Sequence, residues 1–193
     1  KAREMLADMP VLNMLNTKYV IYNPGQQPLE NPYRYGNAWF VDRVKTAPSP
    51  RRELSSLNDA DLKNAAIVRK DRAGDWASYR NDDEGGQIEL TTYEPDRLVY
   101  DVKAPSEKLA VFSEIFYPKG WKAYIDGEET DIKRVNYILR AVMVPEGEHK
   151  VEFRFEPSSV QKANLIGIIG GILIVLFAVW LIIRYRKSLT EKI

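Results

Sequence analysis

The chain has 193 residues, with 28 basic and 27 acidic side chains that leave a formal net charge of +1. This balance does not suggest a nucleic-acid-binding protein, which usually has an excess of basic residues, and the lack of cysteine excludes disulfides, thiolate metal sites and cysteine nucleophiles. Because the chain begins at Lys1 and not at Met, we expect the natural protein to continue upstream.

The first region of the chain, residues 1–86, mixes helical and strand-like patterns, and we predict it to be an N-terminal α/β region. Apolar residues on one helical face predict short helices before and after Pro10. A further helix is predicted from Asn58 or Asp59, either of which can cap it, to about Ala66. Strands are predicted at residues 18–22, 38–44 and 67–68, and loops at 23–37 and 70–86.

From Gln87 the pattern is β throughout, and residues 87–158 are predicted to form an antiparallel β-sandwich region. Apolar and polar residues alternate between turn signals, of which Asp126-Gly127 is the strongest hairpin signal. Strands are predicted at residues 87–94, 97–104, 108–117, 121–126, 130–135, 137–144 and 149–157. The predicted fold class is therefore mainly β: an antiparallel sandwich or jelly-roll-like domain with short N-terminal helices, followed by one transmembrane α-helix.

Residues 165–183 form an uninterrupted apolar run without a charged side chain. A bilayer core about 30 Å thick needs roughly 20 apolar residues at 1.5 Å rise each, and a buried soluble helix of this length would show a polar face. We therefore predict a transmembrane helix at 162–185, followed by a tail at 186–193. Its direct partners are the lipid bilayer and other transmembrane helices, which we expect to belong to the same full-length protein.

The flanks of this helix differ in charge. The nearest basic residue before the apolar run is Lys162, whereas several basic residues follow it. They are Arg184, Arg186, Lys187 and Lys192. The positive-inside rule predicts a cytoplasmic tail, which places residues 1 to about 160 outside the cytoplasm.

Gly167 and Gly171 are spaced as a GxxxG motif within the apolar run. Small residues at this spacing allow another helix to approach closely, which would make this side a packing face for a partner helix. Glycine is also simply common in transmembrane helices, and the sequence leaves both explanations open.

Several short motifs follow one another across residues 112–157, before the apolar helix. They are Tyr117-Pro118 ahead of Gly120-Trp121, then Asp126-Gly127, then Arg134-Val135-Asn136, then Pro145, Gly147 and His149 at alternate positions. With residues 12–21 and 36–44, this run resembles the C-terminal extracytoplasmic domain of the YfhO-type bacterial polytopic membrane proteins.

The resemblance carries functional expectations that the residues alone do not give. Proteins of this type are similar to polytopic glycosyltransferases that use lipid-linked sugars, and they are associated with glycosylation of cell-envelope polymers. The resemblance implies a bacterial inner-membrane location, with an envelope glycan or a lipid-linked sugar as partner. The presumed catalytic acid of that class lies in an early extracytoplasmic loop, so the resemblance assigns this chain no catalytic residue and no cofactor.

Residues that could carry chemistry are few. His149 is the only histidine, and its place in a turn before a strand favours a structural role over a catalytic triad or a zinc site. The acidic run Asp82-Asp83-Glu84 lacks the alternate spacing of an EF-hand loop, which favours a solvated loop. No nucleic-acid partner, cofactor or metal is predicted.

Aromatic residues suggest one binding surface. Lys119, Trp121 and Arg140 are the predicted glycan contacts, because apolar sugar faces stack on exposed aromatic rings next to basic side chains. The alternative is that Trp121 packs into the core. Two functions stay open on the sequence: a non-catalytic region of a YfhO-like polytopic protein, or a single-span membrane-anchored module that binds a glycan or a protein. The sequence upstream of Lys1 would distinguish them.

Overall fold

The computed structural model describes residues 4–190, except for the side chains of residues 158, 160–162, 183 and 185–190. The chain divides into two compact units, Lys1–Phe155 and Glu156–Ile193. The first is mainly β with antiparallel sheets and a few short helices, and the second consists of one apolar helix. The predicted fold class is therefore confirmed.

The elements follow one another in this order. The helices are α1 (Pro10–Met14), α2 (Pro50–Ser56), α3 (Lys70–Ala73) and α4 (Ser158–Thr190), with 3-10 helices at Glu4–Asp8 and Gly74–Ser78. The strands are β1 (Tyr19–Val20), β2 (Leu29–Glu30), β3 (Ala38–Val41), β4 (Arg43–Ala47), β5 (Ala65–Arg69), β6 (Gln87–Tyr93), β7 (Arg97–Ala104), β8 (Lys108–Ile115), β9 (Trp121–Ile125), β10 (Glu128–Thr130), β11 (Lys133–Val135), β12 (Leu139–Val144) and β13 (Gly147–Phe155).

Two antiparallel sheets share one core. The five-stranded sheet has the order β10-β9-β13-β7-β6, and the four-stranded sheet has the order β11-β12-β8-β3. Side chains from both sheets form a single buried cluster, which includes Leu98, Tyr100, Phe112, Val142 and Phe153. Within it the rings of Tyr100, Phe112 and Phe153 meet edge to face, an arrangement that the aromatic quadrupole favours.

The four-stranded sheet is buried on both faces, which explains the apolar run that begins β8. Ala110 and Phe112 face the sandwich core, whereas Leu109 and Val111 face a second core. Strands covered on both sides need apolar residues at consecutive positions and lose their alternation. Strand β3, which comes from the predicted N-terminal region, pairs with β8 in this sheet. The division at residue 86 stays a prediction.

The second core packs residues 43–79 against the four-stranded sheet. Strands β4 and β5 run parallel, and α2 lies in the connection between them, as parallel pairing requires a crossover. Buried apolar residues of this layer join those of β8 and β12; the members from 43–79 include Ala47, Leu57, Leu62, Ile67, Val68 and Trp76.

The prediction of a helix from Asn58 or Asp59 is wrong. Helix α2 begins at Pro50, where Ser49 caps it by accepting a hydrogen bond from the Arg52 backbone N–H at 3.3 Å. Proline suits the first helical turn because its fixed φ is already helical and its missing N–H would have no partner there. The residues near Ala66 belong to β5 instead.

The segment predicted as a loop at 70–86 contains α3 and the second 3-10 helix. Trp76 buries its ring in the second core, and this burial holds the polar segment against the sheet. The predicted Asp126-Gly127 hairpin is confirmed: both residues have positive φ, 52° and 92°, and the flanking Ile125 and Glu128 pair.

Candidate functional site

The candidate site lies at the end of the sandwich where β13 finishes. Trp121 is the first residue of β9 and stands opposite Phe155, the last residue of β13. Their ring centroids are 5.4 Å apart, and the centroid of the Tyr117 ring lies 6.4 Å from that of Phe155. We call the group formed by Tyr117, Lys119, Trp121 and Phe155 the aromatic end.

Gly120 lets the loop of the aromatic end approach Phe155. Its φ is +129°, a conformation that L side chains rarely adopt. A Cβ placed there would come within 2.7 Å of Cε2 in the Phe155 ring. The glycine of the Tyr117–Trp121 segment is therefore needed for two reasons, the backbone conformation and the close ring contact.

Arg140 lies beneath the aromatic end and is only 2% exposed. Its guanidinium carbon sits 4.6 Å from the ring centroids of both Trp121 and Phe153. Its Nη2 donates to Glu114 Oε2 at 3.4 Å, while Nε and Nη1 have no protein partner in the described part of the chain. Two aromatic faces and one carboxylate thus surround a buried cation.

Burial is the largest cause of the pKa shifts of Arg140 and Glu114. Desolvation lowers the pKa of Arg140, and Glu114 opposes that change. Desolvation raises the pKa of Glu114, and Arg140 opposes it in turn. Each side chain therefore stabilises the charged form of the other in a place that water reaches poorly.

The structure brings two of the three predicted glycan contacts together. Trp121 is half-buried, and one face of its ring contacts Arg140. Trp121 therefore packs partly into the core, as the alternative to glycan contact predicts. Arg140 is buried, and its guanidinium supports the Trp121 ring from within. Lys119 is exposed in the loop between β8 and β9. Glycan contact by Lys119, Trp121 and Arg140 stays a prediction.

The second unit is the apolar helix α4. Residues Ala163–Ile182 have a mean hydropathy of 3.0, and this stretch is long and apolar enough to cross a membrane. Gly167 and Gly171 are exposed on it, and a Cβ at either position would meet nothing within 4 Å. Contact with a partner helix at these glycines stays a prediction.

Residues 54–167 match the family model described as bacterial membrane protein YfhO. The match covers more than half of the chain, from α2 through the sandwich and into α4. This chain belongs to the YfhO family. No curated protein and no solved structure is similar enough to match it. The suspected family is thereby confirmed, and the chain is part of a membrane protein.

The only histidine of this YfhO chain holds a hairpin in place. His149 Nδ1 lies 2.6 Å from Asp126 Oδ2, and Nε2 lies 3.1 Å from the Glu146 carbonyl oxygen. Asp126 Oδ1 also accepts from the Lys150 backbone N–H at 2.8 Å. The Asp126 carboxylate raises the pKa of His149, and His149 lowers the pKa of Asp126. Both side chains thus tie the β9–β10 turn to β13.

An open groove of about 480 Å³ adjoins this pair on the outer face of the five-stranded sheet. Both acidic and basic side chains line it, and Lys103 and Glu148 form an ion pair at 2.7 Å. Among the residues that the structure describes, no group of three His, Cys, Asp or Glu side chains could hold a metal ion. Near the acidic run 82–84, Lys108 donates to the Asp83 carbonyl oxygen, which fastens that loop to β8.

Sequence reasoning missed two residues of the site, Phe155 in the aromatic end and Glu114 beside Arg140. The position of Phe155 could have been predicted, because residues two apart in a strand share a face and Phe155 thus lies on the same face of β13 as the buried Phe153. A large apolar side chain on the core face at the very end of a strand is expected to protrude beyond the core. The role of Glu114 could not have been predicted from the sequence, because only the fold shows that it contacts Arg140.

Proposed function

We propose that this chain is the non-catalytic, extracytoplasmic region of a YfhO-type membrane protein that takes part in glycosylation of cell-envelope polymers from a lipid-linked sugar. The charge difference across the α4 span supports the location: basic residues cluster after Ile183, whereas Lys162 alone precedes the span closely. The aromatic end supports a role at the membrane–water boundary, where a lipid-linked sugar would lie.

The orientation can be tested by cysteine labelling, because the chain has no cysteine of its own. Glu128→Cys places a thiol at the exposed start of β10, and Ser188→Cys places one in the tail. In intact cells, a membrane-impermeant maleimide should label position 128 and leave position 188 unlabelled until the cells are permeabilised. Labelling of position 188 alone would reverse the proposed topology.

The glycosylation role predicts a change in the envelope itself. Deletion of the full-length gene should remove a sugar from one envelope polymer, measured by compositional mass spectrometry, and the unaltered gene should restore it. Unchanged polymers after deletion would disprove the role.

A further inference from the structure

The aromatic end exposes apolar ring surface at the end of the sandwich. Tyr117 and Phe155 are 49% and 37% exposed. They come from the β8–β9 loop and the end of β13, and the tertiary fold brings their ring centroids to 6.4 Å from each other. Contiguous apolar side chains on a surface mark an interaction site more often than scattered ones do.

The chemistry of this group is that of a membrane interface. Tyrosine combines an apolar ring with a polar hydroxyl, and it is enriched where a bilayer meets water. Lys119 lies two residues after Tyr117 and is exposed, and a lysine there can bury its stem while its ammonium reaches a phosphate. The half-buried Trp121 packs against Phe155 at a centroid distance of 5.4 Å and supports it from the side of the sandwich core.

Chain connectivity limits how far the aromatic end can lie from the bilayer. Residues 156–162 join Phe155 to Ala163, the first residue of the apolar span. Fully extended, at about 3.5 Å per residue, this segment reaches roughly 28 Å. Helix α4 begins at Ser158, which shortens the reach because a helix rises only about 1.5 Å per residue.

We propose that the aromatic end is a bilayer-contact surface, in which Tyr117 and Phe155 enter the lipid headgroup region. Lys119 then reaches the lipid phosphates. The occupant of this surface is the lipid bilayer itself. This contact goes beyond the proposed function because it needs no sugar and no acceptor.

The test measures depth with fluorescence. The full chain carrying Tyr117→Cys is labelled with the environment-sensitive dye NBD and placed in phosphatidylethanolamine–phosphatidylglycerol nanodiscs. Glu146→Cys is the matched control, since it lies in the turn before β13, and that strand of about 27 Å separates it from Phe155. Lipids with a nitroxide near the headgroup should quench the dye at position 117 at least about three-fold more than at position 146.

The outcomes separate the possible occupants. Equal quenching at both positions would overturn the proposal. A blue-shifted emission at position 117 without lipid quenching would also overturn it, in favour of a protein partner or a second copy. Lys119→Cys provides an independent second position, so that a folding defect at one site cannot explain a negative result. Because no sugar lipid is present, quenching does not depend on whether the glycosylation role holds.

Discussion

Replacing Glu53 by alanine is expected to destabilise the unit Lys1–Phe155 by about 2–4 kcal/mol, because it removes the acceptor of a partly buried cation and of a partly buried backbone N–H. Glu53 is fully buried on α2. Its Oε2 accepts from Arg134 Nη2 at 3.2 Å, and its Oε1 accepts from the Tyr137 backbone N–H at 3.1 Å. One carboxylate thus joins α2 to the β11–β12 connection.

The connection that Glu53 holds is itself strained. Asn136 and Tyr137 have φ values of 48° and 70°, a region that costs non-glycine residues energy. Asn136 also pairs with β5: its Oδ1 accepts from the Ile67 N–H at 2.8 Å, and its own N–H donates to the Ile67 carbonyl at 2.8 Å. Loss of Glu53 therefore removes a hydrogen bond that holds these two residues in an unfavourable backbone conformation.

Thermal unfolding in detergent, followed by near-ultraviolet circular dichroism, measures this effect. Glu53→Gln keeps the shape and one acceptor, so we expect it to lose about half as much stability as Glu53→Ala. The exposed Glu30→Ala is the control and should stay within about 0.5 kcal/mol of the unaltered chain. Equal unfolding midpoints for Glu53→Ala and Glu30→Ala would contradict the assigned role.

Most of the β region from Gln87 could be predicted from sequence, because the signals for its strands are local. The prediction of one strand at 130–135 is wrong: β10 ends at Thr130 and β11 begins at Lys133, and the two belong to different sheets. Strand β7 spans Arg97–Ala104, the predicted range, and β6 ends at Tyr93, one residue short of the prediction. Alternation and turn residues act between near neighbours, and these are the signals that a sequence displays.

The second core could not be predicted, because distant contacts decide it. Glu53 meets Arg134 and Tyr137 across separations of 81 and 84 residues, and Ile67 meets Asn136 across 69. The Arg134-Val135-Asn136 motif was visible in the sequence, but its docking role depends on these partners. The parallel pairing of β4 with β5 likewise has no local signature.

The candidate site shows the same limit at a single residue. A glycan contact by Arg140 requires exposure, and an arginine in an alternating strand normally takes the outer face. Strand β12 has no outer face: Leu139 and Ala141 enter the second core, and Val142 enters the sandwich core beside Arg140. Only a structure with three layers reveals that the arginine must lie inside.

Arg140→Ala is expected to cost about 2–4 kcal/mol of unfolding free energy, because it leaves a cavity between Trp121 and Phe153 and an unpaired Glu114. Arg140→Met fills most of that space with an apolar side chain, so its cost should fall to about 1–2 kcal/mol, mainly from Glu114. The double variant Glu114→Gln with Arg140→Met removes both charges and should lie within about 1 kcal/mol of the unaltered chain. Thermal unfolding at pH 7.5 measures all three.

The pH dependence of Arg140→Met separates a charge partner from a simple filler of space. Desolvation raises the pKa of Glu114, and the charge of Arg140 partly offsets this rise. Because Arg140→Met removes that charge, the pKa of Glu114 in the folded state should rise further. A carboxyl whose folded pKa exceeds its unfolded pKa stabilises the fold as pH falls through the folded value. The deficit of Arg140→Met relative to the unaltered chain should therefore shrink between pH 7.5 and pH 5, and the double variant should show no such change. A deficit that is constant with pH would show that Arg140 serves only to fill the space beneath Trp121.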